Sequence, residues 1–159
     1  MVLAVAPHTH WVDVMVGFAA RQALHITHAK FLGKRELFVG PLGWLLRKMG
    51  GTPVDRHSKH GVVDQVVELF NSNENFILGL APEGTRKPVD TLRTGFYHIA
   101  KKAGVPIVPI GLDYEHKLLV VGEAFFTSDD ETADIKKLMA FYSNIKGKKP
   151  GFDLRHLKT

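Results

Sequence analysis

The sequence predicts a single α/β domain, with a mostly parallel central sheet flanked by helices and its active site at the strands' carboxyl ends. Short apolar runs alternate with stretches of helical periodicity along the chain. Its 159 residues, 45% of them hydrophobic, suit one core, and neither a repeat nor a second domain is visible.

Val2–Ala6 is apolar throughout and ends at Pro7, the pattern of a strand buried on both faces. Residues 11–24 read as a helix, 36–39 as a short strand, and 42–49 as an apolar helical turn or two between Pro41 and Gly50. In 61–70, Val62, Val63, Val66, Val67 and Phe70 share one helical face, and 75–80 is a second buried strand. A helix follows at 94–102. Residues 105–112 read as a strand whose Pro106 and Pro109 imply an edge position or a bulge. A strand at 117–121 and a helix at 131–143 complete the domain, residues 1–145. Residues 146–159, rich in lysine, glycine and proline, are expected to form a loosely packed basic extension.

Composition narrows the chemistry. Without cysteine, no disulfide, thiolate metal site or cysteine acyl-enzyme is available. A net charge of +5 favours anionic partners: phosphorylated metabolites, acidic membrane surfaces or nucleic acid. No membrane span or signal peptide is readable, so the expected location is the cytoplasm. The chain contains no Gly-x-Ser-x-Gly elbow, Walker loop or Gly-x-Gly-x-x-Gly, which weakens covalent serine catalysis and nucleotide-driven chemistry.

Four stretches carry candidate chemistry. In HTHWVD, His8 and Asp13 follow the first strand where a helix begins. A histidine oriented by a carboxylate is a general base suited to neutral pH, whereas a bland reading makes His8 a loop residue and Asp13 a first-turn carboxylate facing the helix dipole. His8-x-His10 also resembles a metal-holding pair, so a metal-dependent hydrolase using His8, His10 and Asp13 is an alternative. In GGTPVDR, Arg56 offers a phosphate a planar fork of donors, or simply ends an ordinary strand. In APEGTRK, Gly84 permits close backbone approach while Thr85, Arg86 and Lys87 suit a dianion; alternatively, Glu83 pairs with Arg86 in a polar turn. In VPIVPIG, Pro106 and Pro109 wall an acyl pocket or belong to an edge strand.

Taken in order, HTHWVD, GGTPVDR, PEGTR and VPIVPIG resemble the four sequence blocks of the glycerol-3-phosphate and lysophosphatidate acyltransferase superfamily. The connecting phrases KRELFVGPLGWLLRKMGG and LRTGFYHIAKKAG look familial too. The resemblance implies that His8 and Asp13 are the catalytic pair. It places Arg56, Glu83, Gly84, Thr85 and Arg86 at the acceptor and its phosphate, and Pro106 and Pro109 on the acyl or donor side. His10, where the family often has serine, and Pro7, where many members have asparagine, depart from the pattern.

The implied reaction moves a fatty acyl group from acyl-CoA or an acyl carrier protein to a hydroxyl of glycerol-3-phosphate, lysophosphatidate or a related lysolipid. The expectation includes no metal, no cofactor beyond the acyl thioester and no nucleic-acid partner. Leu42, Trp44, Leu45, Leu46 and Met49 beside Arg47 and Lys48 either make peripheral contact with an anionic membrane or fill the core. A non-enzymatic basic module for membranes or nucleic acid is the remaining alternative.

Overall fold

A computed structural model describes residues 1–55, 61–152, 154 and 157. Six strands, β1 (Val2–Ala6), β2 (Lys30–Lys34), β3 (Gly51–Val54), β4 (Leu78–Leu80), β5 (Ile107–Asp113) and β6 (Leu118–Val121), form one sheet in the order β3-β2-β4-β1-β5-β6. Every pairing is parallel except β5 with β6, as the alternation of elements predicts. The helices are α1 (Val12–Ala23), α2 (Gly40–Lys48), α3 (Gly61–Asn71), α4 (Gly95–Ala103) and α5 (Glu131–Tyr142).

Right-handed crossovers put α1 and α2 on one face of the sheet and α3 and α4 on the other. Side chains tie each layer together: Arg21 of α1 donates to the Met49 carbonyl after α2, while Lys102 of α4 pairs with Asp64 of α3 at 2.8 Å. Helix α5 joins α4 through Tyr97, whose hydroxyl donates to Asp134 at 2.8 Å.

The two faces differ in depth. Val2, Ala4, Ala6 and Leu78 meet Val66, Phe70, Phe96, Tyr97, Leu138 and Tyr142 in the core under α3, α4 and α5. On the opposite side, α1 buries only Asp13 and α2 only Gly43. Phe31 of β2 turns to that thinner side and meets Phe18 edge-on.

One local expectation is corrected and one open alternative is decided. Residues 36–39 are not a strand; Arg35–Leu37 is a 3₁₀ turn, and the strand runs earlier, over Lys30–Lys34. Phe38 instead plugs inward, because a Cβ on Gly33 or Gly51 would strike its ring and one on Gly43 its backbone. Strand β5 is not an edge, since β1 and β6 flank it. Pro109 is tolerated there because of a bulge: Ile110 faces Val121 and Ile107 faces Phe125, leaving an extra residue on the β6 side. The Ile107 N–H points to that side, to the Phe125 carbonyl, so the alternation of the strand aims the Pro109 nitrogen at the bulge, where no ladder bond is lost.

The segment after Ile145 is packed where it is described. The Lys146 carbonyl accepts from Tyr114 N–H at 2.9 Å, Lys149 N–H donates to Thr9 Oγ1 at 3.3 Å, and Leu154 is buried in the core. Backbone hydrogen bonds and one buried leucine thus replace the expected looseness.

Leu78, fully buried at the sheet's centre, sets a stability test. Leu78→Ala is expected to cost ~2–5 kcal/mol in urea unfolding. Leu118→Ala, at an exposed position of β6, is expected to stay within ~0.5 kcal/mol.

Candidate active site

Strand β1 delivers its chain to the sheet's carboxyl end, where a cis Ala6–Pro7 peptide leads into His8, Thr9 and His10 before α1 begins. Asp13 stands in the first turn of α1 and folds its side chain back over this loop. Its Oδ2 accepts from the backbone N–H groups of Thr9 and His10, both at 2.7 Å, and lies 3.1 Å from His8 Nδ1. Its Oδ1 accepts the Tyr114 hydroxyl at 2.6 Å.

Burial alone would raise the Asp13 pKa, but hydrogen bonds from His8, Tyr114 and the two backbone groups outweigh it and hold the value at about 2. The carboxylate is therefore ionised at neutral pH and can only accept. His8 Nδ1 must then carry the proton, which leaves Nε2 with its lone pair available. The exposures fit this division: the Asp13 side chain is 1% accessible and that of His8 is 23%. One partner is sealed and the other can reach a substrate.

Glu83 approaches from the neighbouring strand. Its Oε1 accepts the His8 backbone N–H at 2.6 Å, and its Oε2 is buried without a hydrogen-bond partner. Burial pushes this carboxyl above the usual range, with the nearby Asp13 charge acting in the same direction. Glu83 thus pairs with the histidine loop rather than with Arg86, and at 3% accessibility it is withdrawn from solvent.

The rest of the loop is open. Gly84 adopts φ +64° and lies so close to Arg93 that a Cβ would meet its Cδ at 2.5 Å. Thr85 Oγ1 accepts the Lys87 N–H at 3.2 Å, and Arg86 is exposed. Arg56 lies outside the described residues.

His10 is turned to a structural task. Its Nδ1 accepts the Val12 N–H at 3.2 Å at the helix start, so it does not converge with His8 on a shared ligand position. Among the described residues, no group of three or more histidine, aspartate or glutamate side chains is arranged to hold a metal ion.

The prolines of VPIVPIG sit elsewhere. Pro106 precedes β5 at the end of the sheet opposite the site, about 20 Å away by strand rise. Pro109 is in mid-strand beside Gly122, against which α5 packs Phe141. Neither is brought to His8.

Two features were not singled out in the sequence. Tyr114 reaches Asp13 from 101 residues away, a separation no local pattern reveals. A groove of about 630 Å³ opens past β2 and β3, lined in part by Arg35, Phe38, Val39, Arg47 and Gln65. Its two arginines lie within KRELFVGPLGWLLRK, a phrase whose cations are legible as such but whose convergence depends on the 3₁₀ turn.

Comparison with known proteins identifies the family of the chain. The sequence model of the acyltransferase family matches residues 1–113, which include His8, Asp13, the PEGTR loop and all of β5. The chain is 31% identical over 125 residues to the chloroplastic 1-acyl-sn-glycerol-3-phosphate acyltransferase BAT2 of Brassica napus, an alignment covering 74% of this chain and 34% of the relative. It is 35% identical over 89 residues to the 1-acyl-sn-glycerol-3-phosphate acyltransferase of Escherichia coli K12, covering 50% of this chain and 35% of that one. The chain therefore spans about a third of the length of these curated relatives. The crystal structure of PlsC, the 1-acyl-sn-glycerophosphate acyltransferase of Thermotoga maritima, has a similar fold, with a TM-score of 0.59 at 23% identity over 89% of this chain and 62% of that one. The family match extends across β1, the histidine loop and the strands that position them, and the chain belongs to the acyltransferase family.

Proposed function

We propose that the protein transfers an acyl group from acyl-CoA or an acyl carrier protein to the free hydroxyl of lysophosphatidate or a closely related glycerophosphate. The observation that carries this reading is the His8–Asp13 pair, with a buried anionic partner on Nδ1 and an imidazole that is itself partly exposed. Nε2 takes the proton of the acceptor hydroxyl as its oxygen attacks the thioester carbonyl carbon. The tetrahedral adduct then collapses, the C–S bond breaks, and the leaving thiolate takes the proton back from His8. The reaction consumes no cofactor beyond the thioester and forms no covalent enzyme intermediate.

Acceptor binding falls to the loop beside His8. Thr85 and Arg86, with Arg56 from the second block, offer a hydroxyl and two guanidinium groups to the phosphate, and Gly84 keeps the backbone low there. Glu83 serves this site from behind, holding the His8 backbone in place.

The lipid substrate is met at a membrane surface. On the thin side of the sheet, Leu42, Trp44 and Leu45 are exposed beside Arg47 and Lys48, as are Trp11, Val14 and Met15 on α1. These α2 side chains do not fill the core, which favours peripheral contact with the anionic cytoplasmic leaflet. Among the described residues, no helix is long and apolar enough to cross a membrane.

Thioester release in the presence of lysophosphatidate tests the chemistry. His8→Ala is expected to reduce turnover by ~10²-fold or more, and Asp13→Asn to be similarly severe because it disturbs the tautomer. His10→Ala should be milder, and EDTA should leave wild-type activity intact. Chelator-sensitive activity with equal losses at His8 and His10 would instead support the metal-dependent hydrolase.

Arg86→Ala is expected to raise the acceptor KM by roughly tenfold to a hundredfold, the loss of one charge-assisted contact. An unchanged KM removes Arg86 from the site.

Sedimentation with phosphatidylserine-containing vesicles tests the membrane contact. The protein should co-sediment, and Trp44→Ser should weaken partitioning by roughly tenfold. Equal recovery in the supernatant with and without vesicles refutes it.

A further inference from the structure

Tyr114 lies beyond the last of the four blocks, in the first residue after β5, yet its hydroxyl ends 2.6 Å from Asp13 Oδ1. Asp13 Oδ2 already accepts from His8 and two backbone groups. Among the described residues, the Tyr114 hydroxyl is the donor to the carboxylate's other oxygen, a second anchor that resists rotation of the group about its Cβ–Cγ bond. Rotation decides whether Oδ2 faces His8 Nδ1.

We propose that Tyr114 is a positioning residue for acyl transfer, holding the Asp13 carboxylate so that its Oδ2 orients His8. This role rests on the acyl-transfer reading of the His8–Asp13 pair.

The surroundings fix Tyr114 in turn. Its backbone N–H donates to the Lys146 carbonyl at 2.9 Å, and Lys148 Nζ stands 5.4 Å from its ring centroid. The neighbouring Glu115 pairs with Lys146, while Asp113 accepts from the backbone N–H groups of Glu115 and His116. The same strap bonds Thr9 through Lys149 N–H and packs Gly147 so tightly that a Cβ would meet Thr9 Cγ2 at 2.7 Å. The turn after β5 and residues 146–149 therefore form a buttress behind the histidine loop. Burial and the Asp13 carboxylate push the Tyr114 pKa above the ordinary tyrosine range, so the hydroxyl stays protonated and donates at neutral pH.

Tyr114→Phe keeps the ring and its lysine contact and removes only the hydroxyl. We expect kcat to fall on the order of tenfold while both KM values stay within about twofold, the pattern of a lost contribution to the chemical step. In an Asp13→Asn background, the same change should cost no further activity, because its effect runs through the carboxylate. Carbon-13 NMR of the Asp13 side chain should show a titration midpoint near pH 2 in the wild type and a higher one in Tyr114→Phe, where the carboxylate has lost a donor.

Wild-type kcat in Tyr114→Phe, alongside an inactive His8→Ala, would overturn the positioning role and leave the acyl-transfer reading standing. Losses that multiply in the double variant would overturn it as well. If the wild type transfers no acyl group, the acyl-transfer reading fails by itself. The carboxyl titration still decides the contact: an unmoved midpoint overturns the role, and a raised one upholds the Tyr114–Asp13 coupling on which it stands.

Discussion

A single carboxylate organises the loops at the carboxyl end of this protein's sheet. Asp13 gathers four donors, two from the backbone of the loop it closes, one from the His8 ring and one from a tyrosine 101 residues away. A buried charge is costly unless it is this well solvated by the protein, and each donor that lowers the cost also fixes a piece of chain. The loop conformation, the imidazole's direction and the ionised state of the acid are thus one arrangement seen three ways. Glu83 works on the same loop with the opposite electrostatics, a carboxyl that burial drives toward neutrality and that holds a backbone N–H.

The sheet explains why these groups meet. Strands β4, β1 and β5 are neighbours, and all three run in one direction, so the loops leaving them emerge together although they are dozens of residues apart in the chain. The first loop contributes His8 and Asp13, the second Glu83 to Arg86, and the third Tyr114. A parallel sheet brings three separate stretches together at one end without requiring any of them to be long.

Much of this was legible in the sequence. Val2–Ala6 and the run ending at Leu80 are continuous apolar segments, and a strand covered on both faces has no other composition available. His8 and Asp13 could be paired because strand, loop and helix follow one another within a few residues. Strand β2 escaped notice because KFLGK has only Phe31 and Leu32 as apolar residues, pointing to opposite faces: one meets Phe18, the other the main core. The apolar residues at 36–39 suggested a strand, whereas Gly33, Gly43 and Gly51 make room for Phe38 as a plug. The resemblance implies an acceptor contact for Glu83 and the local reading a pair with Arg86, whereas the packing of β4 against β1 turns its side chain inward to the His8 N–H. Contacts such as Tyr114 with Asp13 depend on the assembled sheet and leave no periodicity to read.

The unequal depth of the two sides of the sheet separates two kinds of evolutionary freedom. Substitutions beneath α3, α4 and α5 disturb the packing on which folding rests, with penalties of several kcal/mol at positions such as Val66 or Tyr142. Outward-facing positions of α1 and α2, Met15 and Leu42 among them, change at a typical cost below about half a kcal/mol. Selection can therefore retune the outer surface of α1 and α2 while the core and the histidine loop stay as they are.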